Sequence, residues 1–199
     1  MSIRRITTRA AATAAVLLAV VPAARAGAAT EPNLPLRLTS FAVNLDAPVG
    51  GPSSGRLDIT INRWSTDGER DRLLTALTEK GSDQLLAALQ KVSPPVGVIR
   101  AEGSLGWNLY YARVHPGEDG GYRLVFATDR PIGFVEAANR TRSSEYEFML
   151  CEIHIDGNGR GEGKLAARAK VTWDEKTKTI AIENYDIEPV RLLKVQPIG

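Results

Sequence analysis

Glu152 and His154 stand two apart in the run YEFMLCEIHI, residues 146–155, where Met149, Cys151, Ile153 and Ile155 alternate with them. On a β-strand, side chains two apart point the same way. A carboxylate and an imidazole so placed could pass a proton between them or hold a metal. Read as an enzyme, the chain would be hydrolase-like, with Glu152 and His154 as an acid–base pair assisted by Asp129 or an arginine. His115, the other histidine, joins them only if two distant strands are neighbours. The same face carries Tyr146, Phe148 and Leu150, so it turns from apolar to ionisable midway along the strand. That is the pattern of a strand running from beneath a helix or cavity wall into solvent. The solvated strand end is the simpler account, and the sequence assigns no catalytic residue.

The following stretch, DGNGRGEG at 156–163, invites a test against metal and phosphate chemistry. Counted from Asp156 as a calcium loop, Asn158 and Gly161 fit, but Arg160 puts a cation where an oxygen ligand belongs and Ala167 replaces the bidentate acid. There is no Lys-Ser/Thr pair for a nucleotide phosphate. The glycines instead suit a hairpin turn between two strands. EGSLG around Ser104 is not a nucleophile elbow, and zinc-protease, dithiol and dinucleotide signatures are absent from the sequence. Cys151, the one cysteine, cannot close an internal disulfide and reads as a buried thiol. We expect neither a metal nor a cofactor.

Aromatic side chains supply the remaining candidate. GWNLYYARVH alternates so that Trp107, Leu109, Tyr111 and Arg113 share one face, and YRLVFATDR adds Tyr122 and Phe126. Such rings pack a core or line a pocket for an apolar ligand. Trp107, Tyr111, Tyr122 and Phe126 are therefore the expected pocket wall. Asp129, Arg130, Arg140 and Arg142 read as ordinary ion pairs around a short helix.

The elements that must carry these residues begin with an export signal. Arginines precede the run AAATAAVLLAVV, and small residues follow it, so residues 1–26 have the order of a signal peptide. The apolar run is too short for an ordinary membrane span, and no stable span is expected after its removal. Residues 1–26 hold four arginines and no acids, so the mature chain carries 21 basic against 23 acidic side chains, a formal charge of −2. That balance argues against a nucleic-acid partner. Residues 27–37 read as a flexible tether and 38–199 as one domain. RLDITINRW alternates as a strand. Thr66 and Glu69 then form a capping-box spacing before the apolar face of Leu73, Leu74 and Leu77. Gly81 ends that helix, Ser82 is placed to cap a second one, and Leu85, Leu86, Leu89 and Val92 form its apolar face. About nine strands and short links then predict a β-rich α+β fold, a strongly curled antiparallel sheet, barrel or sandwich, with a two-helix hairpin and one short extra helix in RPIGFVEAANR.

At DITINRWSTDGERDRLL (58–74), GRGEGKL (159–165) and IENYDIEPVRL (182–192) the chain resembles a family of small secreted bacterial proteins with no assigned activity. The resemblance covers about Gly55 to Val195 and implies a single exported domain, with no catalytic residues to carry over. The helix-capped curled sheet also looks like lipocalin-type binding domains at the level of fold alone. The expected function is a non-enzymatic periplasmic or secreted binding or accessory domain. Its expected partner is a small apolar molecule or another envelope protein, and its oligomeric state is open.

Overall fold

A computed structural model describes residues 31–45, 53–117, 119–130, 148–174, 179–184 and 189–198. The export segment expected at 1–26, the start of the tether, the short extra helix expected at 130–140 except Arg130, and Arg140, Arg142 and Tyr146 lie outside these residues.

Ten strands and two helices follow in the order β1 (Leu36–Asn44), β2 (Ser53–Ile61), α1 (Asp67–Lys80), α2 (Ser82–Leu89), β3 (Gly97–Ala101), β4 (Trp107–Leu109), β5 (Tyr111–Pro116), β6 (Tyr122–Ala127), β7 (Phe148–Ile155), β8 (Gly161–Asp174), β9 (Thr179–Asn184) and β10 (Val190–Pro197). Each strand pairs antiparallel with its neighbours along the path β4-β3-β2-β1-β10-β8-β7-β6-β5, while β9 pairs β8 off that path. The two ends of the path, β4 and β5, are successive pieces of one segment broken at Tyr110. The curled sheet is therefore a nearly closed barrel. With β4 and β5 taken as one bent strand, its wall is effectively eight-stranded, the size at which side chains just fill a lumen or leave room for one small ligand.

Here the side chains fill it. Leu38, Leu57, Ile61, Ile99, Leu109, Leu124, Phe126, Met149, Cys151, Ile153, Ile155, Leu165 and Leu192 all face one core with no accessible surface. A void that admits water would leave accessible area on its lining, so this part of the lumen is packed solid. Leu36 belongs to the same core and pairs with Ile61. The first strand therefore begins inside the expected tether, because Leu36 and Leu38 alternate inward.

The break at Tyr110 corrects the expected alternation. Leu109 bonds back toward β3 through the Val96 N–H (2.7 Å), whereas the Tyr110 N–H donates to Ala127 of β6 (3.0 Å). One residue is spent on this change of partner. Trp107 and Leu109 pack on the core, but so do Ala112 and Val114. Tyr111 and Arg113 are thereby turned to the outer surface, since a one-residue slip reverses every later side chain.

The helices form as their sequence dictates. The Thr66 hydroxyl accepts from the Glu69 N–H (3.2 Å), and the Glu69 carboxylate accepts from the Thr66 N–H (2.8 Å). This capping box satisfies backbone donors that a helix start leaves open. Gly81 serves as the last cap of α1 and the first cap of α2, so Ser82 is the first residue of α2 and not its cap. Leu73, Leu77, Leu85 and Leu89 form a second apolar cluster with Phe148. Val92, expected on that helical face, lies past the end of α2 and packs into the barrel core. No helix among the described residues is long and apolar enough to cross a membrane.

The stretch at 156–163 is a tight hairpin between β7 and β8. The Asp156 carboxylate accepts from the Asn158 and Arg160 N–H groups at 2.8 and 2.9 Å, and Gly159 takes φ +77°. The Arg160 N–H bond is the main reason the Asp156 carboxyl titrates below its ordinary range. The carboxylate thus closes a turn. Gly163 lies opposite Ile153, where a Cβ would come within 2.7 Å of the Glu152 carbonyl oxygen and 2.8 Å of the Ile153 side chain. Glycine lets β8 lie this close to β7.

Candidate functional site

The helical hairpin packs against the outside of the barrel, over the outward faces of β5 to β8. Between the two layers is a pocket of about 300 Å³. Leu73, Leu74, Leu77, Leu85 and Leu89 form its helical side, and Tyr111, Val125, Ala127, Phe148, Leu150 and Val171 its floor. Arg70 stands at its edge. The cross-strand register explains the floor: Tyr111 pairs with Ala127, and Ala127 with Leu150, so one apolar row crosses β5, β6 and β7. Burial pushes the Tyr111 phenol above its usual range, against the opposing pull of Arg113 and Arg70.

The next rows of the same outer face are charged. Arg113, Val125, Glu152 and Lys164 stand abreast, followed by His115, Arg123, His154 and Glu162. Phe148 and Leu150 therefore lie against the helix-covered pocket, whereas Glu152 and His154 of the same strand stand in solvent. Glu152 is 57% exposed and lies 3.6 Å from Arg123. His154 Nε2 lies 2.9 Å from Asp119 Oδ2, and this contact is the main reason Asp119 titrates below its ordinary value. His115 is brought into the same row as His154, with Arg123 between them. Burial first, then the charge of Arg123, holds the His115 imidazole below its usual pKa. The pair that an enzyme reading would use for acid–base work thus sits on an open surface, with Glu152 beside Arg123 and His154 beside Asp119. Among the described residues no three His, Cys, Asp or Glu side chains cluster to hold a metal.

A second concavity, about 550 Å³, lies where the segment leaving β2 crosses β5. The Ser65 N–H donates to the Ala112 carbonyl (2.8 Å) and the Ala112 N–H to the Ser65 hydroxyl (3.1 Å), which fixes this crossing. Trp64, Thr66, Asp67, Arg113, Tyr122 and Glu31 are among its lining residues. Arg113 Nη1 donates to the Ser65 carbonyl (3.0 Å) and to Asp67 (2.8 Å). That charge-assisted bond is the largest cause of the lowered Asp67 pKa. Beneath the crossing, Arg63 grips Glu69 with both terminal nitrogens at 2.9 and 3.0 Å and also donates to the Pro94 carbonyl (2.8 Å).

Of the four aromatics expected to share one pocket wall, three pack on the barrel core and Tyr111 faces outward. Phe126 is sealed in the lumen, and Trp107 packs partly buried against the same core. Tyr111 lines the helix-covered pocket, and Tyr122, which also packs on the barrel core, lines the cleft beside Trp64. Cys151 is buried in the lumen, where loss of solvent drives its thiol well above the ordinary value. Asp129 lies two residues past Ala127, the partner of Leu150, and so at the end of β7 away from Glu152 and His154. Sequence reasoning did not identify Leu150 or Phe148 as pocket residues, although the change of character along their strand face was the available signal.

Comparison with models of known protein families, with curated proteins and with solved structures gave no match at a significant level.

Proposed function

We propose that this chain is a non-enzymatic binding domain that works outside the cytoplasm and holds a small apolar ligand between its helical hairpin and the outer wall of its barrel. The observation that carries this reading is the contrast between a side-chain-filled lumen and a leucine-lined pocket outside it. A volume of about 300 Å³ is at the lower end of small-molecule sites. An uncovered apolar wall of this kind gains free energy when a ligand displaces water from it. The signal-like order of residues 1–26 supports an extracytoplasmic setting.

The test is titration of the mature protein with N-phenylnaphthylamine, an uncharged dye that brightens in apolar surroundings. Saturable binding that weakens at least about tenfold in Leu150→Glu is expected, because the new carboxylate would put a charge on the apolar pocket floor. Unchanged binding in a folded Leu150→Glu protein would refute this location.

A further inference from the structure

The apolar pocket and the polar cleft share two elements in the same order. Along α1, Asp67 lines the cleft, Arg70 follows one turn later, and Leu73 and Leu77 continue into the pocket. Along β5, Arg113 lines the cleft and Tyr111, two residues away on the same outward face, lines the pocket. Asp67 joins the two ends by lying 2.8 Å from Arg113 and 4.0 Å from Arg70. The step from one cavity to the other is therefore on the order of 5 to 7 Å, one helical turn or two strand residues.

The cleft offers different chemistry from the pocket. Trp64 and Tyr122, both partly buried against the barrel core, supply their remaining ring surface, Thr66 a hydroxyl, and Glu31 and Asp67 acceptors. Arg113 is only 22% exposed and commits Nη1 to Ser65 and Asp67, leaving Nη2 without an acceptor among the described residues. Two carboxylates face one guanidinium that one of them already neutralises, so the cleft has no spare positive charge for an anion. Donors, acceptors and rings together suit an uncharged group rich in hydroxyls.

We infer that the two cavities are halves of one site for a single-chain amphiphile, with the chain beneath the helices and an uncharged, hydroxylated head in the cleft of Trp64, Tyr122 and Arg113. This rests on the apolar-pocket reading above and names the class of ligand for it. Head hydroxyls accept from Arg113 Nη2 and donate to Asp67 and Glu31, while the sugar-like C–H faces lie on the rings. Asp67 is 75% exposed, so it can turn toward a ligand without opening the core.

The experiment is displacement of bound N-phenylnaphthylamine by decyl glucoside, decanol, decanoate and decyltrimethylammonium, each below its micelle concentration. The glucoside is expected to displace the dye at about tenfold lower concentration than decanol, an increment of the size of one or two net hydrogen bonds. Asp67→Ala should bring that ratio close to one. Equal displacement by glucoside and decanol would overturn the two-part site while leaving the apolar pocket standing. Stronger displacement by decanoate or the ammonium compound would overturn the uncharged head. Failure of the dye to bind at all would overturn the apolar-pocket reading itself.

Discussion

The inner and outer faces of β5, β6 and β7 are both rich in apolar residues, yet they meet different fates. Inside, Ala112, Leu124, Phe126, Met149, Cys151 and Ile153 interlock with the opposite wall and lose all contact with solvent. Outside, Tyr111, Val125, Ala127, Phe148 and Leu150 meet a helical hairpin that leaves a space above them. The difference follows from how each face is covered. A barrel wall closes on itself, so its inner side chains come from every direction and fill the lumen. Two short helices cross a broad sheet face along a line, and side chains of leucine size cannot fill the flanks of that line. Open apolar space in this fold therefore lies where packing is one-sided.

Substitutions can break this contrast. The largest effect is expected from Phe126→Ala, which removes a ring from the sealed lumen and should cost about 3 to 5 kcal/mol in chemical denaturation. Next, Gly163→Val forces branched carbon against the Glu152 carbonyl and the Ile153 side chain. It should cost about 2 to 3 kcal/mol by overpacking the β7–β8 seam. Glu69→Gln removes the charge that Arg63 holds with two bonds at a site only 11% exposed. About 1 to 3 kcal/mol should be lost at neutral pH, since a charge-assisted bond is weakened and the Arg63 charge is left uncompensated.

The Arg63 bond is the main cause of the lowered Glu69 pKa in the fold, and a lowered carboxyl pKa fixes the sign of its pH dependence. The stabilisation is present above the unfolded-state pKa and is lost as pH falls through the folded-state value. Denaturation midpoints should therefore fall as acid is added below about pH 4.5, with a shallower fall in Glu69→Gln. Smallest is the effect of Glu152→Gln or His154→Ala, where exposed pairs with Arg123 and Asp119 contribute little. Each should change stability by less than about 1 kcal/mol and leave dye binding as it was. A large loss of dye affinity in either variant would move the functional face from the pocket to the charged rows.

Much of this contrast can be read from the chain before any coordinates. Alternation in YEFMLCEIHI places Met149, Cys151, Ile153 and Ile155 on the buried side, and the other side's change from Phe148 and Leu150 to Glu152 and His154 marks where cover ends. Thr66 and Glu69 mark a helix start because capping is local chemistry. Less local features resist such reading. The turn of β4 into β5 at Tyr110 has no glycine or proline to announce it, so unbroken alternation puts Tyr111 and Arg113 on the face of Trp107 and Leu109, whereas they belong to the opposite one. Aromatic content likewise points to one shared wall: Trp107, Tyr122 and Phe126 do pack on one core, whereas the slip at Tyr110 turns Tyr111 to the helix-covered pocket. Ser82 has the chemistry of a cap, yet the preceding Gly81 takes the position because it already ends α1.

The central claim is that ligand enters beneath the helices and not the barrel. Leucine methyl NMR of residues 27–199 during N-phenylnaphthylamine titration tests it most directly, because leucines line both places. The account predicts saturating shifts at Leu73, Leu77, Leu85, Leu89 and Leu150, with Leu38, Leu57, Leu124 and Leu165 in the lumen nearly still. Shifts concentrated at the lumen leucines, with the helical set unmoved, would contradict it.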